Sequence, residues 1–189
     1  MAVKEDYRIR KTKRALASAL FTLLSEKSID DITVIELCEC AGIRRTTFYK
    51  HYRDKYDYIG SFAGMLRAKF DALYKIDEVG VSVDYFTEYA KQMILFIAQH
   101  EKLVDNIFHS TAFPAVLSAL SARNYADTHE SLEKYISGGG VIHGSPEVVA
   151  CVAVGGVSGA IQMWLESGKT ISAEKLADEV SKLITKLFV

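Results

Sequence analysis

The chain has 189 residues, 49% of them hydrophobic and 25% charged, so it is long enough for two domains and too apolar for a disordered protein. The formal net charge is −1, but residues 1–57 hold 12 Lys and Arg against 9 Asp and Glu, while the remainder hold 11 against 15. Only two prolines interrupt the chain, and its three cysteines, two of them at Cys38 and Cys40, argue against a disulfide framework. The polar first 14 residues lack the pattern of a secretory signal, so we expect a cytoplasmic protein.

The first predicted helix spans residues 8–27. Its apolar residues recur at helical spacing and are Ile9, Leu16, Leu20, Leu23 and Leu24. Five cations fall in its first two turns: Arg8, Arg10, Lys11, Lys13 and Arg14. Because cations at a helix N-terminus oppose the helix dipole, their placement favours a role near phosphates, with a solvated face as the alternative.

A second, short helix is predicted to begin at Thr33. Thr33 and Glu36 have the spacing of a capping box, in which each side chain bonds the backbone of the other residue. The inward face consists of Val34, Leu37, Cys38 and Ala41. Gly42 supplies the left-handed residue that ends the helix after about two turns.

The third segment follows this glycine directly. In a helix, Ile43, Phe48 and Tyr52 would point inward. The outward side chains would be those of Arg45, Thr46, Thr47, Tyr49, Lys50 and His51. A short helix, a glycine turn and a helix with such a face are typical of a helix-turn-helix, whose second helix enters the major groove of duplex DNA. Arg bonds guanine edges, Thr contacts bases, and Tyr, Lys and His reach phosphates.

Residues 33–59, TVIELCECAGIRRTTFYKHYRDKYDYI, resemble the DNA-binding domain of the tetracycline-repressor (TetR) family of transcriptional regulators. The match covers about 50 residues with the first helix, and the family's spacing is kept by Thr33, Ala41–Gly42, Phe48–Tyr49 and Lys55. The resemblance implies a dimer that reads palindromic operator DNA. It implies phosphate contacts for Thr33, Tyr49, His51 and Lys55, and base contacts for Arg45, Thr46, Thr47 and Lys50.

The segment departs from the family pattern at three places. Arg44 replaces a small polar residue, so it joins the candidate DNA-binding residues and leaves the operator sequence open. Tyr52 replaces a common Phe, which adds a hydroxyl expected at the rim of the core. Tyr56–Asp57 replaces the usual Glu-Ala or Glu-Glu pair.

A fourth helix is predicted after Asp54, which caps it. Its apolar pattern is Ile59, Phe62, Ala63, Leu66, Phe70 and Leu73. The resemblance implies that this helix carries movement of the C-terminal domain to the reading helices. We therefore expect an all-α protein of about nine helices, with a helix-turn-helix DNA-binding domain over residues 1–56 and a larger regulatory and dimerisation domain over residues 57–189.

Helical patterns rich in aromatic residues resume over residues 85–136. In TetR regulators this region encloses an inducer, so the resemblance makes five residues candidate ligand contacts: Phe86, Tyr89, Met93, Phe96 and Phe113. Ordinary core packing would explain the same pattern. A partner protein or a metal ion is the alternative controller, with His100, Asp105 and His109 as the metal candidates, but their spacing fits no strong zinc motif. We expect no bound metal and no cofactor.

The next helix is predicted to be capped by Ser145, to open at Pro146 and to stop at Gly168. No residue between Glu147 and Glu166 is charged, a length that can span a bilayer. Three glycines, two polar side chains and the lack of basic flanks favour a buried helix instead, so we expect no membrane contact. The glycines at 155, 156 and 159 would permit close approach of another helix.

The last helix, capped by Ser172, completes an apolar surface that a second copy would cover. Candidate residues for this homodimer interface are Val152, Gly156, Gly159, Met163, Leu176, Val180, Leu183 and Leu187. Residues 163–184, MWLESGKTISAEKLADEVSKLI, resemble the ending of a TetR subgroup that includes regulators of dihydroxyacetone kinase operons. In the wider family, these two helices form a four-helix dimer interface.

Patterns typical of enzymes are missing from the sequence. It has no Ser-His-Asp or Cys-His grouping, no paired-carboxylate motif and no dinucleotide fingerprint. The glycines at 138–140 lack the Lys-Ser/Thr ending of a phosphate-binding loop. We therefore predict a DNA-binding regulator, specifically a repressor controlled by a small molecule, and not an enzyme.

Overall fold

The computed structural model describes residues 7–73 and 81–189. Within these ranges the chain forms α1 (Tyr7–Leu24), a one-turn 3-10 helix (Ile29–Asp31), α2 (Val34–Cys40), α3 (Arg45–Phe48), α4 (Lys55–Leu73), α5 (Val83–Gln99), α6 (Glu101–Phe108), α7 (Phe113–Ser137), α8 (Pro146–Glu166) and α9 (Ala173–Thr185). The same ranges contain no β-strand, only an isolated bridge between Ile142 and Phe188. The expected all-α fold with nine helices is confirmed.

Three predictions concern residues or side chains outside the described ones. The predicted DNA-binding domain begins with residues 1–6, which lie outside the described residues. The side chains of Ala63 and Leu73, assigned to the apolar pattern of the fourth helix, also lie outside them.

The chain divides into two compact units. The described residues up to Gly64 form the first unit together with Glu101–Val116, and Met65–His100 with Leu117–Val189 form the second. The first unit therefore includes α6 in addition to the three N-terminal helices. The domain boundary after residue 56 stays a prediction.

The first unit is built around one face of α1. Leu16, Leu20 and Leu24 are buried on this face, and α1 packs against α2 and α6. The C-terminal end of α1 has a side-chain partner, since Asn106 Nδ2 of α6 donates to the Leu24 carbonyl at 2.8 Å. This bond satisfies a carbonyl that lacks a partner within the helix.

The second unit is built on the packing of α9 against α5 and α8. Phe86, Ala90 and Ile94 of α5 are buried, as are Leu176 and Val180 of α9. Serine side chains cap the N-termini of α5, α8 and α9, as Ser82, Ser145 and Ser172 each accept a backbone N–H three residues on. The predicted caps of the last two helices and the predicted opening of α8 at Pro146 are confirmed.

Helix α8 is only partly buried within the chain. Val149, Ala150, Trp164 and Leu165 are its buried residues. By length and composition alone α8 is long and apolar enough to cross a membrane, and no other helix in the described ranges is. A single helix of this kind is weak evidence for a membrane span. The predicted burial of α8 is therefore incomplete within one chain, on the face for which a dimer contact is predicted. The reason is that α9 and the other helices of the unit cover one side of it only.

Candidate functional site

The helix-turn-helix begins with the predicted capping box. The Glu36 backbone N–H donates to Thr33 Oγ1 at 3.2 Å, and the Thr33 N–H donates to Glu36 Oε2 at 3.0 Å. The Thr33 hydroxyl also donates to Glu36 Oε2, at 2.9 Å. The predicted phosphate contact of Thr33 would therefore have to replace this last bond.

Glu36 has a further partner in the ammonium of Lys27. The hydrogen bonds from Lys27 and Thr33 stabilise the charged carboxylate and lower its pKa to about 2. This pair joins the end of α1 to the start of α2, and so fixes the first helix of the reading motif.

The turn between α2 and α3 depends on Gly42. Its φ of +64° lies in the left-handed region, where a side chain would be strained. The Gly42 N–H donates to the Glu39 carbonyl at 3.1 Å, and the Ile43 N–H donates to the Cys38 carbonyl at 3.0 Å. These bonds satisfy the last carbonyls of α2 as the chain turns toward α3.

Helix α3 is short and is anchored by one aromatic side chain. The helix proper covers only Arg45–Phe48, shorter than predicted, and the chain continues through turns to His51. Phe48 is fully buried, with its ring centroid 5.5 Å from that of Tyr52 and 5.9 Å from that of Tyr58. This contact holds the opposite side of α3 toward solvent.

The predicted reading residues lie on that solvent side. Exposed side chains are those of Arg44, Arg45, Thr46, Tyr49 and Lys50, and half-buried ones are those of Thr47 and His51. Arg44, Arg45 and Lys50 form no ion pair with any residue that the structure describes. We call these seven residues the reading face, and its three charged groups are available to an outside partner.

The Lys55 side chain, for which a phosphate contact is predicted, has hydrogen-bond partners within the chain. Its ammonium donates to the carbonyls of Ile29, Asp30 and Ile32, at 3.1, 2.8 and 3.1 Å. An ammonium has three N–H donors, and these contacts use all of them. Lys55 therefore holds the start of α4 to the 3-10 helix.

The hydroxyl of Tyr52, expected at the rim of the core, is instead inside it. Tyr52 is 7% exposed, and its ring centroid lies 4.9 Å from that of Tyr58. Both hydroxyl oxygens are buried and have no hydrogen-bond partner among the described residues. Burial also raises the pKa of Tyr58 far above its usual range.

The 3-10 helix also contacts the loop after α6. Thr111 donates to the carboxylate of Asp30 through its backbone N–H at 2.8 Å and through its hydroxyl at 2.7 Å. These two bonds lower the pKa of Asp30. Together with the bond from Asn106 to Leu24, they tie α6 and the loop after it to the helices that carry the reading face.

A separate cleft lies within the second unit, between α5, α7, α8 and the C-terminal residues. Its enclosed cavity volume is about 70 Å³, which is smaller than usual for a small-molecule site, and the cleft is partly open to solvent. The predicted ligand contacts Phe86, Tyr89 and Met93 line this cleft. The sequence analysis did not single out the residues that α7 and α8 contribute, because nothing in their spacing indicates which helix faces them.

The other two predicted ligand contacts, Phe96 and Phe113, do not line this cleft. Phe96 packs on Phe70, with ring centroids 5.5 Å apart, and on His100, at 4.3 Å. Phe113 packs on Phe108 in the first unit, at 4.8 Å. Both rings are half-buried and pack on other aromatic rings, as the alternative of ordinary packing expects.

The predicted dimer residues of α8 and α9 divide into two groups. Val152, Gly156, Gly159, Met163 and Leu183 are exposed, with Leu183 at 70%. Leu176 and Val180 are buried within the chain, and Leu187 lines the cleft. Contacts within the chain therefore already cover Leu176 and Val180, while Leu187 is half-buried, and the five exposed residues remain the candidates for the predicted interface.

The three glycines of α8 make no close contact within the chain. A Cβ atom added at Gly155, Gly156 or Gly159 would meet nothing within 4 Å. The close helix approach that these glycines were expected to permit is therefore not made inside one copy.

Metal ligands do not converge in the described ranges, which contain no group of three or more His, Cys, Asp or Glu placed to hold an ion. The predicted candidate His100 instead has its Nδ1 atom 2.9 Å from the Phe96 carbonyl oxygen.

An uncharacterised helix-turn-helix-type transcriptional regulator from Haemophilus influenzae is 39% identical to this chain over 90 residues. The match covers 42% of this chain and 43% of that protein, so the similarity spans less than half of the relative's length. No protein-family model matches the chain.

Solved structures are similar along nearly the whole chain. A Rhodococcus sp. protein assigned to the TetR family of transcriptional regulators is 18% identical, with a TM-score of 0.74 over 95% of this chain and 100% of that one. The regulator FadR from Bacillus subtilis, solved with stearoyl-CoA, is 13% identical, with a TM-score of 0.65 over 91% and 97%. The dihydroxyacetone kinase operon activator DhaS is 17% identical, with a TM-score of 0.59 over 92% and 93%.

The likeness to DhaS does not single out the subgroup suggested by the C-terminal residues, because the Rhodococcus structure superposes more closely. All three structures share the overall fold of this chain, at TM-scores between 0.59 and 0.74. The chain has the all-α fold of the TetR-family transcriptional regulators.

Proposed function

We propose that this protein is a TetR-type transcriptional regulator that binds operator DNA through its reading face. The observation that carries the proposal is the exposed group of Arg44, Arg45, Thr46, Tyr49 and Lys50 on a short helix anchored by Phe48. A single turn of helix with such side chains fits the major groove, where Arg recognises guanine and Thr contacts bases. The partly matching helix-turn-helix regulator of Haemophilus influenzae supports the same class of function.

The protein acts as a homodimer on a palindromic site in this proposal. Val152, Met163 and Leu183 are large, exposed and apolar, and the glycines of α8 leave room for a second helix. Interior glycines cost about 1 kcal/mol each relative to Ala, so their presence needs a compensating contact. A second copy would supply that contact and would place two reading faces about 34 Å apart, one turn of DNA.

A small molecule in the cleft controls the affinity for DNA. The cleft is concave and has a mainly apolar lining with a few polar side chains, as ligand sites do, which favours a small molecule over a partner protein or a metal ion. A ligand can lower the affinity for DNA only to the extent that it binds more tightly to the DNA-free form than to the DNA-binding form. We propose repression as the outcome, although the neighbouring DhaS structure belongs to an activator.

The test is selection of bound sites from random duplex DNA with the full-length protein at two salt concentrations. The expected result is a palindromic consensus with two half-sites one helical turn apart. The matched control is Arg45→Ala, which keeps the fold but loses the exposed guanidinium. Enrichment of no sequence by the wild type, or the same consensus at unchanged affinity from the variant, would contradict the proposal.

A further inference from the structure

The cleft in the second unit has two chemically different sides. Apolar and aromatic side chains from α5, α8 and the C-terminal residues line most of it. The polar side is formed on α7 by Asn124, Asp127 and Thr128, which share one helix face at spacings of three and four residues. Ser158 of α8 adds a hydroxyl.

One atom on the polar side is unpaired. Asn124 Oδ1 is buried and has no hydrogen-bond partner among the residues that the structure describes. A buried amide oxygen without a donor is unfavourable, and native proteins usually supply one. Asn124 also lines the cleft, so a molecule bound there can bring the missing O–H group.

The charge around the cleft selects against an anionic end group. Asp127 contributes a carboxylate, which accepts a hydrogen bond from Arg123 Nε at 3.1 Å. The Arg123 side chain is 70% exposed and is not part of the lining. The lining residues include no Lys, Arg or His. A ligand carboxylate or phosphate would therefore be repelled by the Asp127 carboxylate and would find no cation inside the cleft to pair with.

We propose that the cleft binds an uncharged, mainly apolar molecule whose terminal hydroxyl donates a hydrogen bond to Asn124 Oδ1. This inference rests on the proposed control by a small molecule and names the chemical class of that molecule. It separates this chain from the FadR structure of Bacillus subtilis, whose ligand, stearoyl-CoA, carries phosphates.

The test is calorimetry on the full-length protein, without DNA, using pairs of probes that share a skeleton. The pairs are 1-octanol with octanoate and 3-phenylpropanol with 3-phenylpropanoate, because the aromatic lining suits both skeletons. We expect at least one alcohol to bind about tenfold more tightly than its acid, the value of one hydrogen bond in a buried site. Heptyl methyl ether, which has the composition of 1-octanol but no donor, should bind less tightly than that alcohol by a similar factor.

Asn124→Leu should lower the affinity for the favoured alcohol about tenfold and leave that for the ether unchanged. The matched control is Ala126→Leu, which adds an apolar side chain at an exposed position of the same helix outside the cleft. If Asn124→Leu does not fold, the comparison of alcohol with ether in the wild type still decides the question.

Equal or tighter binding of the acids, equal binding of the ether, or binding of neither alcohol would overturn the inference. Because no DNA is present, its failure is distinct from failure of the proposed function. If the protein binds the alcohol but no duplex, the inference is supported and the proposed DNA binding is contradicted. If it binds an operator but prefers the acids, the proposed DNA binding is supported and the inference is contradicted.

Discussion

The ammonium of Lys55 lies 2.8 Å from the carbonyl oxygen of Asp30, and it also bonds the carbonyls of Ile29 and Ile32. A cation on this cluster neutralises three carbonyl dipoles at the end of the 3-10 helix. We therefore expect Lys55 to be a positioning residue, which would act on the proposed DNA binding through the shape of the first unit and not through a contact with phosphate.

Lys55→Met should destabilise the protein and leave the salt dependence of DNA binding unchanged. Loss of the charged donor leaves part-buried carbonyls unpaired, so we expect a loss of about 1.5 to 3 kcal/mol in the free energy of unfolding, measured in urea. A lost phosphate contact would instead reduce the slope of log affinity against log salt by about 0.9. The control, Lys50→Met, removes an exposed cation that would displace counterions from the groove, so it should show the opposite result, a smaller slope with little loss of stability.

Acid should weaken the junction between α1 and α2 through Glu36. The folded pKa of Glu36 is about 2, below the ordinary value of 4.5, so the stabilisation is complete above pH 4.5 and is lost as the pH falls toward 2. Glu36→Gln should be less stable than the wild type at pH 7, and the difference should shrink between pH 4.5 and 2. Parallel curves of unfolding free energy against pH for the two proteins would show that this carboxylate contributes nothing.

Tyr52→Phe should stabilise the protein. The change removes a buried hydroxyl that has no described partner while keeping the ring contacts with Phe48 and Tyr58. We expect a gain of about 1 kcal/mol in the free energy of unfolding, since the hydroxyl pays for desolvation without a bond in return. Tyr49→Phe, which removes an exposed hydroxyl on the next turn, should leave the stability unchanged. A loss of stability in Tyr52→Phe would mean that the hydroxyl has a partner, such as a buried water.

The features that the sequence predicted correctly depend on residues close together in the chain. The capping box of Thr33 and Glu36 spans four residues, and the cap and proline that open α8 are adjacent. Both need only local backbone geometry, which the residue types specify.

The features that the sequence analysis missed depend on residues far apart in the chain. The three carbonyls that bind Lys55 come from residues 23 to 26 positions earlier, and the spacing alone equally fits a phosphate contact. The polar face of α7 became part of a cleft only because α5 and α8 lie against it. Phe96 continues the helical spacing of Phe86, Tyr89 and Met93 on α5, so only packing shows that it lies outside the cleft.

Arg45→Ala should weaken binding to the selected operator and relax the preference at one or two base pairs. An exposed guanidinium bonding guanine through two atoms discriminates against a wrong base by about 1 to 3 kcal/mol. The measurement is affinity for the operator and for single-base variants of it, by fluorescence anisotropy. Arg53→Ala is a suitable comparison, because Arg53 is exposed but pairs with Asp57, with Nη2 and Oδ1 3.3 Å apart. Discrimination equal to wild type in Arg45→Ala would remove Arg45 from the base contacts.

Gly156→Ala should separate the stability of one chain from that of the dimer. A Cβ at this position meets nothing within the chain, and Ala favours a helix over Gly by about 1 kcal/mol, so the fold of a single copy should become more stable. If a second α8 packs closely on this face, the added methyl group holds the two helices apart, and the dimer dissociation constant should rise. Light scattering over a concentration series measures the dissociation constant of the dimer, and urea unfolding at low concentration measures the free energy of unfolding of the single chain.

Val148→Ala serves as a control for changes in helix surface, because it shortens a side chain that is 59% exposed near the start of the same helix. A dimer that Gly156→Ala leaves equally tight would show that the helices meet elsewhere, and the glycines of α8 would then need another explanation.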